Sequence, residues 1–363
     1  MLEQVLQPFT LFLLAIITVY TVLLVILLRK LSPSEQVNKP LIIPAPLSSE
    51  DELNEHTIQR FRDKADEAMR LNQTFRKFVP KQFVDHFAKH GSSSLELGRA
   101  DEDELAILFC DIRGFTGLSE KMSPQELMNF LNSYFLRMND PIHQNGGFID
   151  KFIGDAIMAL FDRPSGKNSD KAQDAIRAAL DLRYAINIYN QHRSNSGYPP
   201  INIGIGIHFG PVIIGTVGSD DRMDTTVIGD SVNIAYRLEA LAPIYHTDIV
   251  VSAKELEVAE AEQHFNYRIL DWVRVKGRKS PIEIYEIFDH MPPAVQKLKL
   301  ANADVIAKGI SSRIKQQWPQ ALNYFEQALT INPQDTLALH HLKECKIMQA
   351  SKLPANWDGA LVL

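Results

Sequence analysis

The sequence predicts an α+β protein, with a mixed helix-and-strand domain in the middle of the chain and helical segments on either side. Three observations support this. Between residues 105 and 289, apolar runs of strand length alternate with stretches of helical period. Residues 58–79 carry a seven-residue apolar repeat, and from Pro292 onward the pattern is purely helical. The 363 residues, 45% hydrophobic and 23% charged, can bury the cores of two or three domains, which excludes global disorder.

The first element is residues 9–28, twenty residues without a charge or a proline. At about 1.5 Å per helical residue they extend roughly 30 Å, the thickness of a bilayer's hydrocarbon core. A cleaved signal peptide would have a shorter apolar stretch, a positive charge before it and a small-residue site after it. Here Glu3 precedes the run, and Arg29, Lys30 and Lys39 follow it. Residues 1–30 are therefore expected to form a single-pass anchor in the inner (plasma) membrane, with the rest of the chain cytoplasmic. Residues 31–49 hold four prolines and are expected to be an extended linker.

Residues 50–90 are expected to be a coiled-coil-like helix. Ile58, Ala65, Asn72 and Val79 fall at a positions, and Phe61, Ala68 and Phe75 at d. Asn at an a position favours a two-stranded parallel pair, but the two alanines weaken the seam, and a helix lying on its own domain is the alternative. The domain at 95–290 follows. Residues 105–110 make a short buried strand, and residues 125–142 a helix started by Ser123-Pro124. Residues 148–161 suggest two strands around Gly154-Asp155, and residues 169–189 a helix. Ile201, Ile203, Ile205 and Ile207 alternate with Asn202, Gly204, Gly206 and His208, a strand with one small face. Runs at 249–252 and 282–287 complete the strands.

In residues 291–363, Gly309, Ala321, Phe325, Ala328 and Pro333 sit at relative spacings 0, 12, 16, 19 and 24. These match the small and aromatic positions of a tetratricopeptide repeat, although Val305, Lys308 and Ser312 depart from it. A plain helical hairpin is the alternative. A single repeat cannot bury its own face, so it is expected to dock on the central body or on a protein partner.

Composition narrows the chemistry. With 38 basic against 44 acidic residues the chain lacks the excess of cations that a nucleic-acid binder needs. Cys110 and Cys345 are too few for a disulfide framework, and no Cys/His spacing suits zinc. No Walker loop, nucleophile elbow or H-E-x-x-H sequence occurs. Two acids stand out instead. Asp111 is the first charge after the buried run, in Cys110-Asp111-Ile112-Arg113-Gly114-Phe115-Thr116, and Asp155 sits between two strands. Hard divalent cations take such carboxylates, and the glycine turn offers backbone N–H groups to an anion, with Phe115 and Thr116 as candidate substrate contacts. Together they suggest metal-assisted phosphoryl chemistry.

Four blocks carry a family resemblance: residues 109–116 (F-C-D-I-R-G-F-T), 151–159 (K-F-I-G-D-A-I-M-A), 206–215 (G-I-H-F-G-P-V-I-I-G) and 227–239 (V-I-G-D-S-V-N-I-A-Y-R-L-E). Their order resembles class III nucleotidyl cyclases, and residues 272–285, with Val275-Lys276-Gly277, look like that family's closing strands. The resemblance covers residues 75–290. It implies a ferredoxin-like βαββαβ catalytic domain working as a head-to-tail homodimer. Asp111 and Asp155, helped by the Ile112 carbonyl, would hold two Mg²⁺ or Mn²⁺ ions per site. Asn233 and Arg237 would orient the ribose and stabilise the attacked α-phosphate, while Lys276 and Arg222 would grip the triphosphate. The acids would come from one protomer and the Lys/Asn/Arg set from its partner.

The resemblance also bears on the base. Lys151 matches the lysine that contacts adenine, where guanylyl cyclases carry an acid. Its usual aspartate partner is replaced by Thr226, which resembles an adenylyl cyclase subgroup using Lys with Thr. The expected function is thus an adenylyl cyclase making cyclic AMP and pyrophosphate from ATP. A guanylyl cyclase, or a cyclase-like scaffold binding a partner through its C-terminal repeat, are the alternatives.

Overall fold

The computed structural model describes residues 49–75, 80–83, 98, 100–163, 166–219, 221–274, 280–354 and 357–362. The chain divides into two units, residues 1–70 and 71–363. Most of helix α1 (Ser49–Phe75) belongs to the first. Its seam residues Ile58, Phe61, Ala65 and Ala68 are all exposed. The expectation of one helix through residue 90 is corrected at Pro80, which is not helical; proline lacks the N–H that a helix interior requires. The predicted membrane span at 9–28 and the linker lie outside the described residues. Among the described residues no helix is long and apolar enough to cross a membrane.

The second unit is built on a nine-stranded sheet. Strand β1 (Ala100–Ile112) is followed by the short helix α2 (Phe115–Ser119) and by α3 (Pro124–Gln144). Strands β2 (Phe148–Ile153) and β3 (Ala156–Phe161) precede helix α4 (Asn168–Asn195), β4 (Ile203–Ser219), β5 (Arg222–Ile228) and α5 (Asp230–Leu241). Then come β6 (Ile249–Ser252), α6 (Ala253–Val258), β7 (Tyr267–Arg274) and β8 (Ile282–Ile287). Helices α7 (Pro293–Ile314), α8 (Trp318–Ile331) and α9 (Thr336–Ala350) lead to β9 (Leu361–Val362). The strand order is β2-β3-β1-β4-β6-β8-β7-β9, with β5 pairing on β4.

The continuous apolar run of β1 is explained by burial on both faces. Ala106, Leu108, Cys110 and Ile112 enter a core with α3 and α4, while Leu105, Ile107 and Phe109 enter a second core with Phe83 and Phe148. Helix α3 begins as its sequence predicts: Ser123 Oγ accepts from Glu126 N, and the Glu126 carboxylate accepts from Ser123 N. The small face of β4 also has its reason. A Cβ on Gly206 would strike the Ala235 carbonyl and the Glu239 backbone, so only glycine lets α5 lie directly on the strand. Both cysteines are buried and free, and burial pushes the Cys110 thiol up to about 12. In α6, Glu255 is fully buried with neither carboxyl oxygen hydrogen-bonded among the described residues, and desolvation raises its pKa well above normal.

The C-terminal helices dock on the sheet. Ile306, Ile310, Ala321, Phe325 and Ala328 share one core with Leu270 and Val273 of β7 and with Ile234, Leu238 and Leu241 of α5. Gly309 receives the Phe325 ring, because a Cβ there would lie 2.5 Å from it. Four of the repeat-like positions, Gly309, Ala321, Phe325 and Ala328, are thus buried inside the chain, whereas Pro333 is exposed, and a third helix, α9, joins the pair. Ion pairs seal this seam. Arg268 binds Glu286 and Asp335, Lys299 binds Glu286 at 2.7 Å, and Arg313 binds Asp271.

Candidate active site

Strand register brings the two predicted metal acids together. Cys110 pairs with Ile157 across β1 and β3, so Asp155, in the turn before β3, falls opposite Ile112. Gly154 adopts a left-handed φ of 66°, which tightens that turn. The Ile112 N–H donates to Asp111 Oδ1 at 3.0 Å and lies 3.3 Å from Asp155 Oδ2. Burial, and then the neighbouring Asp111, push the Asp155 carboxyl up to about 7. Glu239 of α5, an acid the sequence reasoning passed over, completes a like-charged group. Burial raises it to about 7, with Asp111 and Asp155 adding and Arg113 opposing.

Carboxyls held so close that one resists ionisation form a donor set that suits a hard divalent cation. Among the described residues no three acids or histidines converge closely enough to enclose a metal alone. Next to the acids, Gly114 is left-handed at φ 69° and opens α2, with Phe115 half-buried and Thr116 exposed. The Thr116 carbonyl accepts from Ser119 Oγ and from Glu120 N.

A second group forms around the middle of β2. Thr226 Oγ1 donates to Asp150 Oδ2 at 3.0 Å, and Lys151 Nζ binds Asp224 at 2.8 Å and lies 3.8 Å from Asp150. The two base-reading candidates, Lys151 and Thr226, are therefore brought together around Asp150. A register shift between Ile149 and Lys151 makes Asp150 the extra residue of a β-bulge. Without it, Asp150 and Lys151 would point to opposite faces. Sequence reasoning missed Asp150 because strict alternation places it away from Lys151.

Asn233 is exposed on α5, with a long 3.5 Å contact to the Gly229 carbonyl, and Arg237 is half-buried one turn on. Neither is held to Asp111 or Asp155 by a hydrogen bond or ion pair among the described residues. Arg222 is exposed at the start of β5, and Lys276 lies outside the described residues.

The catalytic-domain model of adenylate and guanylate cyclases matches residues 98–288, just over half of the chain. The chain belongs to that family. Its cyclase domain is 43% identical over 219 residues to an adenylate cyclase of Anabaena cylindrica, a match spanning 59% of this chain and 42% of that protein. A terminal-differentiation-specific adenylate cyclase of Dictyostelium discoideum is 34% identical over 276 residues, 76% of this chain and 13% of that protein. The chain thus spans less than half the length of these curated relatives. The solved structure of a bacterial light-regulated adenylyl cyclase covers 67% of this chain and 69% of its own, with 27% identity and a TM-score of 0.56.

Proposed function

We propose that the protein is an adenylyl cyclase converting ATP to 3′,5′-cyclic AMP and pyrophosphate, with active sites between two copies of the chain. The observation that carries the adenine reading is the Lys151–Asp150–Thr226 group. The lysine of this group donates to a ring nitrogen, and its hydroxyl accepts from an exocyclic amine. In the reaction the ribose 3′-oxygen bonds to the α-phosphorus, the bond to the β-phosphate oxygen breaks, and the 3′-OH proton leaves.

Asp111 and Asp155, with the Ile112 carbonyl, would hold two Mg²⁺ or Mn²⁺ ions. Bound there, the ions supply Lewis acidity that eases loss of the 3′-OH proton and offsets charge on the leaving pyrophosphate. Asn233 orients the ribose and Arg237 meets the charge growing on the α-phosphate; four apart on α5, they share one face. Arg222, Lys276 and the backbone at Phe115 and Thr116 hold the triphosphate. Dimerisation is supported by apolar side chains left exposed near these groups: Phe152 and Ile153 of β2, Ile213 and Ile228 across the β4–β5 pair, and Tyr236 of α5. The uncharged run at 9–28, followed by basic residues, supports a single-pass anchor through the inner membrane with the catalytic domain on the cytoplasmic side.

The test is nucleotide turnover by the full chain, purified in detergent, with Mg²⁺ or Mn²⁺ and with ATP and GTP offered separately. Cyclic AMP from ATP is the expected result. Cyclic GMP as the main product would overturn the base assignment, and no product from a dimeric sample would favour the scaffold reading.

A further inference from the structure

The Asp150 side chain is fully shielded from solvent, yet it sits beside the half-buried Thr226 that faces the proposed base site. A threonine hydroxyl has one proton and two lone pairs, so the group that takes the proton fixes what the oxygen offers elsewhere. Here the proton goes to Asp150 Oδ2, 3.0 Å away. An ionised carboxylate accepts and cannot donate back. The remaining lone pairs of Thr226 Oγ1 are then confined to an accepting role. The purine edges differ at this point, since adenine carries an N6 amine that donates and guanine an O6 that accepts. An acceptor held against O6 leaves both oxygens without a proton, and buried polar groups without partners are strongly disfavoured.

We propose that Asp150 is a specificity-determining positioning residue, which by holding the Thr226 proton makes that hydroxyl an obligate acceptor and so selects adenine over guanine nucleotides. The inference rests on the reading that Lys151 and Thr226 face the base. The arrangement accounts for a buried acid behind the hydroxyl: its charge reaches the base through Thr226 rather than by contact. The β-bulge at Asp150 brings the acid to the same side as Lys151, whose ammonium lies 3.8 Å away. Asp224, two residues before Thr226 on β5, takes the closer contact with that ammonium at 2.8 Å. Asp150 is thereby left to the hydroxyl.

The experiment measures kcat/KM for ATP and for GTP with the full chain and its Asp150→Asn variant. The amide is the same size as the carboxyl but donates to Thr226, freeing the hydroxyl proton to turn outward. The ATP:GTP preference is expected to fall by about tenfold or more, the weight of one hydrogen bond. Asp150→Ala, which removes the buried charge, is expected to lose preference similarly and serves if the amide variant does not fold. In a Thr226→Val background, Asp150→Asn should no longer move the ratio. Equal losses for both nucleotides, or an unchanged ratio in Asp150→Asn and Asp150→Ala while Thr226→Val shifts it, would overturn the role of Asp150 alone. If neither Thr226→Val nor Lys151→Ala shifts the ratio, the base-site reading itself fails, and this inference with it.

Discussion

Two clusters of charge in this chain, one half-buried and one buried, are built on opposite terms. At the end of β1, Asp155 and Glu239 crowd around Asp111; burial first, and then the neighbouring carboxylates, push both of them up to about 7, with Arg113 as the cation opposing the rise at Glu239. At the docking seam every acid has a cation. Burial alone would raise Glu286, but Lys299 and Arg268 hold it below the usual range, and Arg268 and Asn302 do the same for Asp335. The seam is ordinary structure, in which buried ions are retained only when paired. The acid group is held in an unfavourable arrangement by the strand register around it, and such unresolved charge marks a place built to receive something positive.

Removing charge from each region should therefore have opposite signatures. Asp155→Ala is expected to lower cyclase turnover by roughly a thousandfold, the scale of electrostatic and metal-centred catalysis, without lowering the unfolding temperature. Chelation with EDTA should give the same loss, reversed by Mg²⁺ or Mn²⁺. A variant that melts earlier and stays active would erase the distinction. At the seam, Asp335→Ala takes away one of the two carboxylates on the buried Arg268 together with the cap of α9, and is expected to destabilise by about 3 kcal/mol, seen as a clear fall in melting temperature.

Glu255 sharpens the comparison because it is buried and, among the described residues, neither of its carboxyl oxygens has a hydrogen-bond partner. Its raised pKa means the folded chain keeps a proton that the unfolded chain releases. Its contribution is therefore undiminished below the unfolded pKa and is lost as pH rises toward the folded one. Glu255→Gln cannot titrate, so its melting temperature should gain on the parent's between pH 5 and pH 8; parallel pH profiles would count against this. The smallest effect belongs to Lys308, whose exposed pair with Asp304 on α7 lies outside both regions. Lys308→Ala should change neither turnover nor melting temperature measurably.

Much of the catalytic body was legible because its elements repeat simple periods. The strand at 105–110, the capped helix after Ser123, the pair around Gly154-Asp155 and the glycine face of β4 all appear where the pattern places them. The pattern failed where pairing overrides local composition. Residues 100–104, mostly acidic, extend β1 because they pair with residues 211–215 of a β4 far longer than its isoleucine repeat suggests. The β4–β5 arm was hidden for the same reason, since Gly215, Thr216, Thr225 and Thr226 find their partners in each other. Of the site, Asp111 and Asp155 could be picked out as acids beside apolar strands. Their contact, the Asp150 bulge and the nearness of Glu239 depend on register, which single-strand periodicity does not carry.

The order of the sheet has a consequence for how the chain is made. Strand β7 forms its inner ladder with β8, only a few residues downstream, but its outer neighbour is β9, reached after three further helices. While a ribosome is still delivering those helices, the outer backbone groups of β7 stand open to any passing strand. Leu361 and Val362, pairing with Val273 and Arg274, act as a late-arriving clasp, and Arg274 gains an ion pair with Asp358 in the same step. A nascent chain halted before residue 358 would thus present a cyclase domain with one raw edge, the kind of surface that chaperones hold and that aggregates grow from.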